Sequence, residues 1–170
     1  TTFRLTSSSF SGCFFTGVFI VSARRTAFGT FGGTLKATTG TQLQTIAAQA
    51  ALKDANLSPD KVDTVVIGTI MPHTQSDGGF LARHVSLHCG IPIERPAFSV
   101  NRLCGSGFQS VVNGAQDILT GAAKIVLTGG VESMSLAPFI VRNIRFGTTL
   151  GKNYDLEDSL WAGLTDSYCK

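Results

Sequence analysis

Continuous runs of apolar residues alternate along the chain with segments whose apolar residues recur every three or four positions. Three stretches rich in β-branched side chains lie at Val18–Val21, Val62–Ile67 and Lys124–Thr128, and a shorter extended piece lies at Ala97–Val100. Runs of this kind predict strands, because a strand that helices cover on both faces needs apolar side chains on both. The first run, at Val18–Val21, is therefore predicted to be a central strand.

Three segments between these runs carry the spacing of amphipathic helices. Their periodic apolar residues are Leu43, Ile46, Ala47, Ala50 and Ala51 in the first, Leu81, Val85 and Leu87–Cys89 in the second, and Val111, Val112, Ala115, Ile118 and Leu119 in the third. Residues that end helices come after each segment, at Asn56–Pro59, Gly90–Pro92 and Gly121. We therefore expect an α/β fold with right-handed crossovers, in which a mostly parallel, twisted sheet has helices on both faces.

The alternation stops at Glu132. Residues 132–170 contain the single Trp, at position 161, and no regular apolar pattern. A structureless stretch of this length is uncommon in a compact domain, so we expect the chain to be cut short at Lys170. The predicted organisation is a leader or extension over residues 1–17, an α/β domain over 18–131, and the beginning of a truncated loop domain over 132–170.

Composition narrows the class of protein. Hydrophobic residues make up 43% of the 170 positions and charged residues only 15%, which excludes a disordered or fibrous chain. The net charge of +3 comes from scattered Lys and Arg residues, so no basic stripe suited to nucleic acid is present. The four cysteines, at positions 13, 89, 104 and 169, lack the spacing of a disulfide framework, and we interpret them as free thiols.

Residues 1–17 differ in composition from the rest of the chain, because Ser and Thr recur, Arg4 is the only charged residue and acids are absent. This composition resembles a transit peptide. Two alternatives remain open: the apolar run Cys13–Val21 is the core of a signal peptide, or it is the first strand with unrelated residues before it. The run is too short to span a bilayer, which needs about 20 apolar residues.

Cys104 lies where an extended segment, Phe98–Asn101, is predicted to turn into a helix, with Gly105 and Gly107 allowing close approach of the backbone. The positive end of a helix favours a thiolate by about 0.3–1 kcal/mol, and its free N–H groups suit an oxyanion hole. Such a position favours a nucleophile. The alternative is a small buried apolar residue in a tight turn, and local geometry does not decide between the two.

Two motifs favour the nucleophile over the buried apolar residue at Cys104. The sequence NRLCGSG, at Asn101–Gly107, resembles the signature around the acyl-accepting cysteine of the thiolase family, and GGVESMS, at Gly129–Ser135, resembles the second thiolase signature. The resemblance extends from Val18 to Asp166 and includes the opening strand and loop at Val21–Gly29. Two further segments, Arg142–Gly147 and Leu156–Trp161, are similar to the mitochondrial 3-ketoacyl-CoA branch of the family.

The resemblance implies a thiolase-type layered fold and an acyltransferase of fatty-acid β-oxidation in the mitochondrial matrix. Cys104 would be the nucleophile that carries the acyl thioester, with coenzyme A as a co-substrate and no bound cofactor or metal. A supporting loop set is implied at Asn101, Gly105, Ser106, Gly107, Gly129, Gly130, Glu132 and Met134. Family members are homodimers or homotetramers that pair through the strand before the nucleophile, which is the segment 98–101.

The family's proton-transferring residues come from its C-terminal half. The histidines of this chain, at 73, 84 and 88, are not in a Gly-His-Pro context, no Asn-Glu-x-Phe is present, and Cys169 is not followed by glycine. The isolated chain is therefore predicted to be inactive.

Other chemistry has weaker support. Gly105-Ser106-Gly107 lacks the third glycine of a dinucleotide fingerprint, and no GxxxxGK[ST] motif is present. His84 and His88 are one helical turn apart but lack a third ligand, so they are interpreted as surface or packing residues. Glu132 is interpreted as a carboxylate that holds a loop rather than as a general base, and Arg83 and Arg102 as surface charges.

Two other functions remain open. One is a biosynthetic condensing enzyme of the same fold, which would be expected to lack the motif at Gly129–Ser135. The other is a noncatalytic, truncated chain that pairs with full-length subunits through the segment 98–101.

Overall fold

The apolar runs form strands and the periodic segments form helices in a computed structural model that describes residues 2–6, 17–74 and 78–169. The strands are β1 (Thr2–Thr6), β2 (Phe19–Arg24), β3 (Thr64–Gly68), β4 (Ala97–Val100), β5 (Ile125–Gly130), β6 (Phe139–Val141) and β7 (Leu156–Asp158). The helices are α1 (Gly40–Asp54), α2 (Leu81–His88), α3 (Ser106–Leu119) and α4 (Ser159–Leu164), with 3₁₀ turns at Pro59–Lys61, Pro72–Thr74, Gly78–Phe80 and Met134–Leu136.

Five strands of the described chain form the main sheet, in the order β2-β1-β5-β3-β4. Strand β3 is parallel to both β4 and β5, whereas β1 is antiparallel to both β2 and β5. Four strands therefore run in one direction and only β1 runs against them. The predicted mostly parallel sheet is confirmed.

Helices cover both faces of this sheet. Val65, Ile67 and Leu127 pack into a cluster with α1 and α2, while Val66 and Val126 pack with α3 on the opposite face. Adjacent residues of one strand thus enter different cores, which is why Val65–Ile67 and Ile125–Leu127 are apolar without interruption. Burying each such side chain stabilises the fold by about 1.5–3 kcal/mol, so β3, buried along its whole length, anchors both layers.

Polar contacts fix where α1 begins and how its end meets β2. Thr39 caps the helix by accepting from the Gln42 N–H, and the Gln42 side chain accepts in return from the Thr39 N–H. At the other end, Asp54 accepts from the Ser22 hydroxyl at 3.1 Å and forms an ion pair with Arg24. The loop between β2 and α1 is therefore tied at both sides.

The prediction that the run at 18–21 is a central strand was wrong. Strand β2 lies at an edge of the sheet, and Ile20 is 55% exposed, with Phe19 and Val21 each 42% exposed. The apolar run was interpreted as a strand covered on both faces, but no helix of the described chain covers these positions fully. Apolar composition indicates what a strand can bury, and not what this part of the molecule supplies to bury it.

Residues 132–170 are more regular than predicted. Strands β6 and β7 form an antiparallel pair in which Arg142 bonds to Glu157 at 2.8 Å, and α4 follows with Asp158 as its N-cap. Strands of three residues leave no detectable alternation in a sequence, so the pattern missed them. Much of this region's apolar surface is exposed, including Phe146 and Leu150.

None of the described helices combines the length and apolarity needed to cross a bilayer.

Strand β1 comes from the segment predicted to be a leader or extension. Its residues pair with Arg24–Phe19 of β2 on one side and Gly129–Ile125 of β5 on the other, with a register shift between Arg4 and Leu5. Residues 1 and 7–16 of that segment, Cys13 included, lie outside the described residues, and the segment's role as a leader stays a prediction. Among the described strands, β1 is the hydrogen-bonded neighbour that links β2 to the rest of the sheet.

Removing residues 1–16 is expected to release β2 from the sheet, because no other described strand bonds to it. Hydrogen–deuterium exchange should show the amides of Phe19–Arg24 losing protection by at least about tenfold. The amides of α2 and β3 serve as internal controls, since neither contacts β1 through the sheet ladder. Unchanged protection at β2 would show that β1 does not hold it.

Candidate active site

Three parallel strands, β3, β4 and β5, have their carboxyl ends at the same end of the sheet. Ligand sites in open α/β sheets lie at this end, because the loops after the strands converge there. The loops in question are 69–71 after β3, 101–105 after β4 and 131–135 after β5. Hydrogen bonds join the first to its neighbours, from Thr69 N to the Val100 carbonyl at 3.1 Å and from Val131 N to the Gly68 carbonyl at 3.0 Å.

Cys104 lies in the second of these loops, two residues before the first residue of α3. A tight turn brings it there: Gly105 N donates to the Arg102 carbonyl at 3.1 Å, and Ser106 N donates to the Leu103 carbonyl at 3.0 Å. Cys104 is exposed, so the alternative of a buried apolar residue is wrong. The first turn of a 14-residue helix thus follows directly after an exposed cysteine.

Glycines let the start of α3 approach the sheet. A Cβ on Gly130 would lie 2.7 Å from the Gly107 Cα, and a Cβ on Gly68 would lie 2.3 Å from both the carbon and the oxygen of the Ser106 carbonyl. Neither strand end can therefore carry a side chain without displacing α3. Gly129 is restricted as well, because a Cβ there would overlap the amide of the buried Gln44.

Side chains of the loop after β4 fix its backbone. The Ser106 hydroxyl accepts from Arg102 N at 2.8 Å and donates to the Leu103 carbonyl at 2.6 Å. Asn101 accepts from Leu103 N at 2.9 Å and donates to the Ile70 carbonyl at 3.2 Å. The predicted supporting residues Asn101, Gly105, Ser106 and Gly107 are thus brought together around Cys104.

The loop after β5 contributes a carboxylate. Glu132 accepts from Ile70 N at 2.8 Å, from Met71 N at 3.3 Å and from the Thr69 hydroxyl at 3.3 Å. These bonds fit the interpretation of Glu132 as a residue that holds a loop. Gly129 is tied to α3, since its carbonyl accepts from the buried Ser110 hydroxyl at 2.8 Å.

A pocket of about 270 Å³ opens beside this loop and is lined by Arg25–Phe31, Leu35, Leu43 and Gly130–Ser135. Met134 lines it and is 42% exposed. Gly130, Glu132 and Met134 therefore share a wall of this pocket, whereas Cys104 lies outside it.

Other residues considered for chemistry have structural partners elsewhere. His84 stacks on Phe80 with ring centroids 6.0 Å apart, and the His88 carbonyl accepts from the Gln49 side chain at 2.9 Å. Arg83 donates to the carbonyls of Ile93 and Arg95, so it holds a loop and is more than a surface charge. Arg102 donates to the Gln109 side chain at 2.9 Å.

Sequence reasoning missed the loop after β3. The Glu132 carboxylate and the Asn101 amide both form hydrogen bonds to this loop, which consists of Thr69, Ile70 and Met71. None of these three residues belongs to either motif. Their position directly after a buried strand was the available indication, because such loops converge with those of neighbouring parallel strands.

A family model described as "Thiolase, N-terminal domain" matches residues 18–170. The chain belongs to the thiolase family. The predicted membership of this family is confirmed.

Individual thiolases are similar to this chain over most of its length. The human "3-ketoacyl-CoA thiolase, mitochondrial" is 56% identical over 152 residues, which is 89% of this chain and 38% of that protein. An acetyl-CoA acetyltransferase of Schizosaccharomyces pombe is 42% identical over 154 residues, 90% of this chain and 38% of that protein. The chain thus spans 38% of the length of both relatives.

Solved thiolases have the same fold. The crystal structure of human mitochondrial 3-ketoacyl-CoA thiolase in complex with CoA matches with a TM-score of 0.85 at 55% identity, covering 89% of this chain and 38% of that one. The Bacillus anthracis acetyl-CoA acetyltransferase matches with a TM-score of 0.78 at 33% identity, covering 86% of this chain and 36% of that one. The predicted thiolase-type layered fold is confirmed.

Cys104 should react before the other thiols of the folded chain with limiting iodoacetamide at pH 7.5, because it is exposed beside the positive end of α3. Cys89 should react last, since it is buried and its pKa is raised to about 11. Mass spectrometry of the alkylated peptides measures the order. In urea the four thiols should react at similar rates. Faster labelling of Cys13 or Cys169 in folded protein would contradict an activated Cys104.

Burial of Cys89 gives a pH dependence to stability. Its pKa rises from 9.0 to about 11 on folding, so between these values the unfolded chain loses a proton that the folded chain keeps. The stabilisation is complete below pH 9 and is lost as the pH rises through 11, by at most about 1.4 kcal/mol per pH unit.

Urea denaturation at pH 8, 9, 10 and 11 tests this. The Cys89→Ala variant should show a smaller loss of unfolding free energy across that range than the parent chain. Cys169→Ala, at an exposed position, is the matched control and should follow the parent. Parallel curves for the parent and Cys89→Ala would mean that this thiol does not cause the loss.

Proposed function

We propose that Cys104 is the acyl-accepting nucleophile of a thiolase that cleaves 3-ketoacyl-CoA in mitochondrial fatty-acid β-oxidation. The observation that carries the proposal is an exposed cysteine at the start of α3, held by glycine contacts and side-chain bonds where three strand ends meet. The 56% identity to the human mitochondrial enzyme over 152 residues supports this substrate class and compartment over those of more distant thiolases.

The chemistry begins at sulfur. The Cys104 thiolate attacks the 3-keto carbon, a C–S bond forms, and the negative charge moves to the oxygen. When the carbonyl re-forms, the bond between C2 and C3 breaks and its electron pair leaves on C2 as the enolate of acetyl-CoA, which then takes a proton. Free CoA then gives up its thiol proton to a general base, and its sulfur attacks the remaining thioester. The acyl C–S bond to Cys104 breaks, which releases the shortened acyl-CoA and returns the Cys104 thiolate.

This chain supplies the nucleophile and the rigid loops around it. The start of α3 beside Cys104 places backbone N–H groups where negative charge would develop on the attacked oxygen. Deprotonation of the thiol and protonation of the enolate need a general base and a general acid, which the thiolase resemblance assigns to a His and a second Cys in the C-terminal half. CoA enters the reaction as a co-substrate and not as a resident cofactor.

A second candidate is a noncatalytic chain that pairs with complete thiolase subunits. Its support is the position of β4, which forms the other edge of the main sheet and has Phe98 41% exposed. An extended apolar edge is a template for pairing with another strand.

The isolated chain is expected to show no CoA-dependent cleavage of acetoacetyl-CoA, because the two absent proton-transfer groups each contribute about 10²–10⁴ in rate. A hybrid in which residues 18–170 replace the matching part of the human relative should cleave it. In that hybrid Cys104→Ser should lose at least about 10³-fold in kcat, and Cys169→Ser, the matched control, should retain activity.

Two outcomes would overturn the proposal: turnover by the Cys104→Ser hybrid, or a folded hybrid without turnover. The second candidate predicts instead that the isolated chain joins complete subunits of the human relative, which light scattering after size-exclusion chromatography would detect.

A further inference from the structure

Glu132 is bound to a loop that has no part in the proposed bond-making and bond-breaking steps. Its two carboxylate oxygens hold consecutive backbone amides, Ile70 N at 2.8 Å and Met71 N at 3.3 Å, and the Thr69 hydroxyl adds a third donor at 3.3 Å. Hydrogen bonds to a charged acceptor are stronger than neutral ones, and a carboxylate can only accept. The loop after β3 is therefore fixed to the loop after β5, 62 residues away in sequence.

The same loop is bound on its other side by Asn101. Its amide nitrogen donates to the Ile70 carbonyl at 3.2 Å, so Ile70 is held by Glu132 through its N–H and by Asn101 through its carbonyl. The Asn101 side-chain oxygen then accepts from Leu103 N at 2.9 Å. One side chain thus connects the held loop to the residue before Cys104.

Leu103 has an unusual backbone. Its φ is 49°, in the left-handed region that residues with a Cβ rarely adopt. The Leu103 side chain is 69% exposed, so burial does not compensate for this conformation. The hydrogen bonds at its N–H and its carbonyl are what fix the turn, from Asn101 at 2.9 Å and Ser106 at 2.6 Å. A strained residue held by its surroundings directly before a reactive group is typical of a positioned site.

We infer that Glu132 is a positioning residue for Cys104, acting through Ile70 and Asn101 to hold the left-handed turn at Leu103. The carboxylate fixes the Ile70 peptide, the Ile70 carbonyl orients the Asn101 amide, and the oriented Asn101 oxygen holds Leu103 N. That turn keeps the Cys104 sulfur exposed beside the first turn of α3. The inference rests on the proposed role of Cys104, but its test measures the thiol and not thiolysis.

The test is a double-mutant cycle on the full chain, read as the second-order rate of Cys104 alkylation by iodoacetamide at pH 7.5. Glu132→Gln places an amide donor opposite backbone donors, and Asn101→Ala removes the link to Leu103. Each should lower the rate about tenfold. If both act on one turn, the double variant should be no more than about twofold below the slower single variant.

Independent roles would instead multiply, giving a fall of about a hundredfold in the double variant, and that result overturns the inference. Glu157→Gln is the matched control, because Glu157 bonds to Arg142 in the β6–β7 pair and has no link to Leu103. It should leave the alkylation rate unchanged, and combined with Asn101→Ala it should give the Asn101→Ala rate. A Glu132→Gln variant that is folded by circular dichroism and alkylates at the parent rate also overturns the inference.

A second measurement covers the case in which Glu132→Gln does not fold. Glu132→Asp keeps the charge but is one methylene too short to hold both amides, and it should also slow alkylation. Leu103→Gly removes the cost of the left-handed turn. In that background Glu132→Asp should change the rate by less than about threefold, whereas an equal effect in both backgrounds would mean that Glu132 does not act through Leu103.

Discussion

Direct backbone contact between the start of α3 and the ends of β3 and β5 determines where every other group of the site lies. Gly107 and Gly130 approach so closely that a Cβ on Gly130 would be 2.7 Å from the Gly107 Cα, and Gly68 faces the Ser106 carbonyl in the same way. Side chains at these positions would push the helix from the sheet. With the helix in this position, the turn that carries Cys104 is exposed at the end of the sheet where the loops meet.

Hydrogen bonds, rather than apolar packing, then join these loops to one another. Loops at the strand ends carry backbone groups that no ladder satisfies, and each such group needs a partner where it is shielded from water. The residues of the second motif supply several of these partners. The Glu132 carboxylate accepts from Ile70 N and Met71 N, and the Ser133 hydroxyl donates to the Thr38 carbonyl at 2.9 Å. The segment 131–135 thereby links β3, β5 and the region before α1, which explains why polar residues dominate it.

The strands and helices could be predicted because each leaves a pattern of its own. Strand β3 is buried on both faces and contains the uninterrupted apolar run Val65–Ile67, and α3 repeats apolar residues at helical spacing. The edge position of β2 could not be predicted, because an apolar run states what a strand is able to bury and not which neighbours it has. The participation of residues 2–6 in the main sheet was missed for a related reason, since pairing partners are set by tertiary structure.

In the candidate site, too, local features could be predicted and long-range contacts could not. Cys104 and its glycines were found from motifs that are local in sequence. The bonds from Glu132 to Ile70 and Met71 span 62 and 61 residues, and no local motif contains both ends of such a contact. The left-handed backbone at Leu103 was also missed, because positive φ is expected at Gly or Asn and gives no sign in a leucine.

The network around Cys104 closes within a chain that spans 38% of its human relative. Both ends of every bond in that network, from Glu132 through Ile70 and Asn101 to Leu103, lie between residues 70 and 132. The contacts that hold the turn before the proposed nucleophile are therefore all made within this part of the thiolase fold. Proton transfer in the proposed reaction differs, because a general base would have to reach the sulfur and a general acid would have to reach the enolate. The bonds of Asn101 and Ser106 hold the turn at Leu103, and the Cys104 side chain that follows this turn is exposed.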